Sequence, residues 1–171
     1  MTDARVNTKT AERRGLGYDS FDDLASDLRT IEAAHNAGTL ATTGNWSAGQ
    51  VMEHVAILME CAVDGFPGKP APWAIRKLAR LLFLKKALSG EPLNPGFKIP
   101  DQASFLRPGD DTTDERGLAR LSAIVERVRG GAEFTHPSPL FEKLSHEQWT
   151  TLQLGHASMH LSFVDPGGSP S

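Results

Sequence analysis

Four segments of this chain repeat their apolar residues every three or four positions, and no run sustains the alternation of a half-buried strand. That periodicity confines the chain to helices packed on helices. The first segment opens at "DSFDDL", where Ser20 can cap and Asp22 and Asp23 lie in the first turn. Leu24, Leu28 and Ile31 form its stripe, His35 continues it, and Gly38 is the stop. The second, "NWSAGQVMEHVAILMECAVDG", places Ser47 and Gln50 at capping-box spacing. Val51, Val55, Leu58 and Ala62 make its stripe, with His54 on the shoulder, about 60° from the centre. The third runs from Thr113 to Gly130-Gly131, with Leu118, Leu121, Val125 and Val128 facing one way. The fourth, "LSHEQWTTLQLGHASMHLSFV", repeats the box with Ser145 and Gln148. Trp149, Leu152, His156, Met159, His160 and Phe163 share its face, and Pro166 with two glycines ends it.

The expected fold is therefore all-α, a four-helix bundle over residues 18–164 with flexible tails at 1–17 and 165–171. Residues 64–112 interrupt it with a Pro/Gly-rich insert and a further basic helix between the second and third helices. That helix, within 73–90, has Ile75, Leu78, Leu81 and Leu82 on one side. With Lys69, Arg76, Lys77, Arg80, Lys85 and Lys86, residues 65–90 hold six positive charges and no negative one. Two readings stand: a solvated face on a helix that covers the bundle, or a surface for membranes or acidic partners.

At 171 residues the chain suits one domain with a full-sized core. A formal net charge of −3 argues against nucleic acid as a partner. Cys61 is the only cysteine, so no disulfide forms within the chain and a reducing compartment is expected. The N-terminal stretch has no apolar core of a secretory signal, and no hydrophobic run follows Arg13-Arg14. No apolar stretch is long enough to span a membrane. The expectation is a cytoplasmic protein.

"HASMH" carries the chemistry. His156 and His160, four apart on a helix, can reach one ion, and both lie in an apolar stripe where an unpaired imidazole is costly. His54 lies on the core-facing side of another capped helix, and bundle ligands converge from facing helices. Three ligands with an open position describe a catalytic metal site. The plainer reading is three core histidines hydrogen-bonded to backbone or hydroxyl groups, and the spacing leaves the two level. Cys61, two turns after His54, is either a thiolate ligand or a small apolar core residue. His136, before Pro137, reads as a turn residue, His35 as placed against a helix dipole, and His146 as exposed. The fourth helix lacks the glutamate of H-E-x-x-H, which excludes a zincin peptidase, and Glu53 points about 100° away from His54. The chain has no glycine-rich phosphate loop and no G-x-S-x-G elbow.

"RRGLGYDSFDDL", "NWSAGQVMEHVAILMECAVDGFPG" and "HPSPLFEKLSHEQWTTLQLGHASMHLSF" together resemble the DinB-like (DinB/YfiT) superfamily. They resemble most its bacterial branch designated domain of unknown function 1569, over roughly residues 13–164. The resemblance implies a four-helix bundle holding a divalent ion on three histidines, which match His54, His156 and His160. It implies zinc, nickel, iron or manganese, zinc favoured, and a low-molecular-weight thiol as cosubstrate. A metal-dependent transferase, isomerase or hydrolase that activates a thiol or water would follow. The alternative is a non-catalytic bundle with structural histidines that binds a partner, a membrane surface or a small ligand. The family's "HP" turn matches His136-Pro137 and makes His136 a secondary pocket candidate beside Met159, Trp149 and Cys61. This chain departs from the branch at Met159, where relatives often have histidine. It departs again at Ser138, Pro139 and Glu142, where they tend to have phenylalanine and glycine. A small-molecule substrate is the expected partner, and a homodimer is the alternative to a monomer.

Overall fold

The computed structural model describes residues 5–90, 93–96 and 99–167. The ends of the two expected tails, 1–4 and 168–171, lie outside the described residues. Among the described residues the fold is built on five α-helices: α1 (Phe21–Ala37), α2 (Ala48–Asp64), α3 (Trp73–Ala87), α4 (Asp114–Arg129) and α5 (His146–Leu161). The described residues are without strands except for two of two residues each, β1 (Ala41–Thr42) and β2 (Val164–Asp165), which pair antiparallel, so the fold is all-α.

Local chemistry explains the boundaries. Ser20 with Asp23, Ser47 with Gln50, and Ser145 with Gln148 each close a reciprocal capping box. Thr113 caps α4 through its hydroxyl, which accepts from the Arg116 amide. Gly38, at φ 72°, ends α1 in a left-handed conformation that costs glycine nothing. The last helix stops at Leu161, short of the expected Val164. Ser162 turns back on Met159 through its hydroxyl, and Val164 then pairs with Thr42.

In the bundle α4 packs on α1 and α2, and α5 packs on α2 and α1, so the four form a ring. Leu24, Leu28, Ile31, Val55, Leu121, Val125, Trp149 and Leu152 fill the centre. The buried surface of α2 is wider than its stripe and takes in Met52, Glu53, His54 and Met59. It carries α4 on one side, α5 on another, and a 3-10 helix of the insert, Asp101–Leu106, on a third. Ahead of α1, Arg14 holds Asp27 in a two-pronged ion pair and donates to the Leu161 carbonyl. Tyr18 donates to the same aspartate, and Thr43 to the Glu12 carbonyl.

The basic helix forms, but it sits the other way round from a helix that buries its apolar stripe. Ile75, Leu78, Leu81 and Leu82 are 53–79% exposed, and the buried positions of α3 are Ala79 and Ala87. The reason is polar anchoring. Arg80 donates to the carbonyls of Phe141 and Lys143, and Arg76 pairs with Glu142. Guanidinium groups at those positions turn the arginine side inward and the leucines outward.

Candidate metal centre

α2 and α5 lie side by side, which brings His54 against His156 and His160. One nitrogen from each ring lies within 4.8 Å of the others, and ring centroids are 4.4–5.0 Å apart. His54 and His156 are 4% and 9% exposed, while His160 keeps partial access to solvent, so the cluster opens on its side.

The anchoring of His54 sets its chemistry. Its Nδ1 lies 2.6 Å from the Leu106 carbonyl oxygen, which can only accept, so Nδ1 carries the hydrogen. Nε2 is left with a free lone pair, 3.2 Å from Nε2 of His156. A backbone carbonyl on the far nitrogen is the usual support of a metal-ligating histidine. One hydrogen bond between the two Nε2 atoms is the most this pair can make. Nδ1 of His156 is buried with no partner, and His160 makes no side-chain hydrogen bond, among the described residues. The donor set therefore fits a cation shared by three nitrogens better than it fits three self-satisfied core histidines.

Burial lowers the pKa of all three rings. For His54 it outweighs the Leu106 carbonyl, which acts in the opposite direction. For His156 the neighbouring His54 adds to it, and for His160 both other rings do, so these two lie well below the usual histidine range. At neutral pH the cluster is three uncharged imidazoles, the form that binds metal.

Two features of the surroundings carried no signal in the sequence. Trp46 tilts over His54 at 5.0 Å and stacks on His160 at 6.0 Å, walling the cluster with an aromatic ring. Its place just before the Ser47 cap marks it as a packing residue and nothing more. The second is Glu53. Its buried carboxylate accepts from the Gly109 amide, the Thr112 hydroxyl and Arg120, with Arg116 3.7 Å away. Burial alone would raise its pKa, but the bonds from Thr112, Gly109 and Arg120 outweigh it and hold the group below its ordinary value. Glu53 thereby ties α2 to the loop that follows Leu106, the residue that orients His54. Glu53→Ala is expected to cost about 3 kcal/mol in thermal unfolding, because the Gly109 amide and the buried Thr112 hydroxyl lose their acceptor and Arg120 keeps only Glu60. It is also expected to weaken zinc binding at least tenfold, through the loosened carbonyl. Unchanged zinc affinity in a destabilised variant would make Glu53 a purely structural residue.

Of the other candidates, only Met159 adjoins the triad. Cys61 follows His54 by two turns, about 10 Å of helix rise. Its thiol is pushed up to about 11, chiefly by burial and then by the Glu60 charge, with Arg120 opposing, so it stays protonated. His136 closes the far end of α2: its amide and that of Thr135 donate to the Ala62 carbonyl, and Trp149 Nε1 donates to the His136 carbonyl. Trp149 is fully buried and stacks on Phe66 at 5.9 Å. Met159 is buried beside His160, and its carbonyl accepts from Ser162. His146 is exposed, with Nδ1 accepting from the Phe134 amide. Glu142 adopts φ 63°, a left-handed conformation that favours glycine, and exchanges two backbone hydrogen bonds with Ser138. Two surface clefts of about 460 and 400 Å³, along residues 11–30 and 158–162, are lined by none of the three histidines.

Fold and site together define a helical bundle with a three-histidine cluster between two of its helices, two of the rings buried and the third partly exposed. The chain belongs to the family described as Protein of unknown function (DUF1569), whose model matches residues 10–167. No curated protein and no solved structure matches it. No helix among the described residues is long and apolar enough to cross a membrane.

Proposed function

We propose that this protein is a divalent-metal-dependent enzyme of DinB-like type, with zinc the favoured ion on His54, His156 and His160. The observation that carries the reading is the His54 tautomer, fixed by the Leu106 carbonyl so that a bare Nε2 meets two further neutral imidazoles. Three nitrogen ligands leave a coordination position open. A bound ion of this kind supplies Lewis acidity that lowers the pKa of a thiol or water. The protein's part is to hold three neutral rings ready. The Leu106 carbonyl fixes one of them, Trp46 excludes water from one wall, and the partly exposed His160 side admits a small molecule. A low-molecular-weight thiol as cosubstrate, in a transferase or isomerase reaction, is favoured over hydrolysis by the family resemblance.

The test is metal content of protein purified without a histidine tag. About one ion per chain is expected. His54→Ala, His156→Ala and His160→Ala should each lose it while keeping their helical circular dichroism. Full metal retention in all three variants would remove the site. Cobalt-loaded protein should then gain a thiolate-to-metal absorption band when a small thiol is added. Retained metal with no such band under any thiol would leave water as the activated group.

A further inference from the structure

α3 presents an unusual surface. Trp73, Ile75, Leu78, Leu81, Leu82 and Phe83 are each more than half exposed, and they account for six of the seven exposed large apolar residues described. At 100° per residue, Ile75, Leu78, Leu81 and Leu82 fall within one sector of about 120°, opposite the buried Ala87 and the anchoring Arg76 and Arg80. Lys77 and Lys86 flank that sector, and Lys85 lies within it. The orientation is held by the Arg80 and Arg76 contacts to residues 141–143, so the apolar side faces away from the bundle. Monomeric proteins rarely leave so large an apolar patch open without a use for it.

We propose that α3 docks this protein onto membrane surfaces rich in anionic lipid, lying in the plane of the interface. Charge complementarity selects this occupant. Residues 65–90 carry six basic residues and no acidic one, in a chain whose net charge is −3. A second copy docked through the same patch would set Lys77, Lys85 and Lys86 against their own counterparts with no carboxylate in the segment to pair them. An anionic bilayer satisfies both halves of the surface. The leucines enter the acyl boundary while the lysine stems run along them and carry their ammonium groups to the phosphates. Trp73 at the helix start, with the Lys77 ammonium 5.3 Å from its ring centroid, suits the headgroup level. None of the three cluster histidines lies on this helix, so the inference stands independently of the metal reading.

The experiment is co-sedimentation of the full chain with phosphatidylcholine vesicles, with and without phosphatidylserine, at low and high salt. Binding is expected only with phosphatidylserine, and it should fall as salt rises. Lys77→Glu/Lys85→Glu/Lys86→Glu should lose roughly a hundredfold in affinity. Leu78→Ser/Leu81→Ser/Leu82→Ser should lose at least about tenfold. All six positions are exposed, so both variants should keep the wild-type melting temperature. Equal binding to both vesicle types, or binding that survives both variants, overturns the proposal. So does an absence of vesicle binding, and a dimer that the leucine variant dissolves would then assign the patch to a second copy.

Discussion

Micromolar Zn²⁺ is expected to move the acid-unfolding midpoint of this protein downward in pH, and His160→Ala is expected to abolish that shift. The sign follows from the three depressed histidine pKa values. In the unfolded chain each ring titrates near ~6.5. In the fold, burial holds His54 lower and, with the neighbouring rings, His156 and His160 well lower. The unfolded state therefore binds more protons as the pH drops below about 6.5, and stability falls from there until the native rings themselves accept protons. Bound zinc widens the gap, because a coordinated lone pair cannot be protonated without losing the ion. An ion present at about a thousand times its dissociation constant adds roughly 4 kcal/mol at neutral pH. For a chain of this length that corresponds to a rise of roughly 8–16 °C in melting temperature. Glu53 contributes at the lower end of the same titration. Its depressed pKa gives stability that is present above the ordinary carboxylate range and lost as the pH falls through its folded value. That contribution is independent of zinc and remains in chelator. The measurement is the unfolding midpoint on acid titration in chelator and in Zn²⁺, for wild type and His160→Ala. A wild-type midpoint that is the same in chelator and in Zn²⁺ would mean that no ion binds and that the histidines are ordinary core residues.

The helix starts were legible because a capping box is a local code. Ser20, Ser47 and Ser145 each need only a partner three residues on, and no tertiary information enters. The pairing of His156 with His160 was legible for the same reason, since i and i+4 share a face wherever the helix is placed. His54 joins them across 102 residues, and periodicity could place it only on a shoulder of its helix. Other features lie beyond a pattern of residue types. The Leu106 carbonyl that sets the His54 tautomer is a backbone group in an irregular insert, available to any residue at that position. Trp46 stands directly before the Ser47 cap, and its ring direction depends on how the chain enters α2. The outward leucines of α3 fail for a different reason. Periodicity says that Ile75, Leu78, Leu81 and Leu82 share a side, but not which side meets the bundle. That choice was made by Arg76 and Arg80, whose partners lie some sixty residues away.

Gly117→Ala is expected to destabilise the protein by about 3 kcal/mol and lower its melting temperature by roughly 6–12 °C. Propensity alone argues the opposite, because alanine is about 1 kcal/mol better than glycine inside a helix. The close approach of α2 and α4 decides the sign. A Cβ on Gly117 would stand 2.2 Å from the Gly49 carbonyl oxygen and 2.7 Å from the Gly49 carbonyl carbon and Cα. A Cβ on Gly49 would stand 2.3 Å from the Thr113 carbonyl oxygen. These neighbours are backbone, so no rotamer change relieves the contact and the helices must move apart. The Gly49 amide also donates to Asp114 at 2.7 Å, an interhelical bond that the same movement would stretch. The consequence reaches the cluster, because Gly49 and His54 ride on the same helix, five residues or about 7.5 Å apart. Displacing α2 from α4 changes its placement against α5, and the nitrogen of His54 leaves the reach of His156 and His160. Zinc affinity should therefore fall together with stability in Gly117→Ala, and further in Gly117→Val. The check is thermal unfolding in chelator together with zinc titration of both variants. A melting temperature equal to or above wild type would show that the two helices do not meet backbone to backbone. Lost stability with unchanged zinc affinity would show instead that the α2–α5 contact alone positions the three histidines.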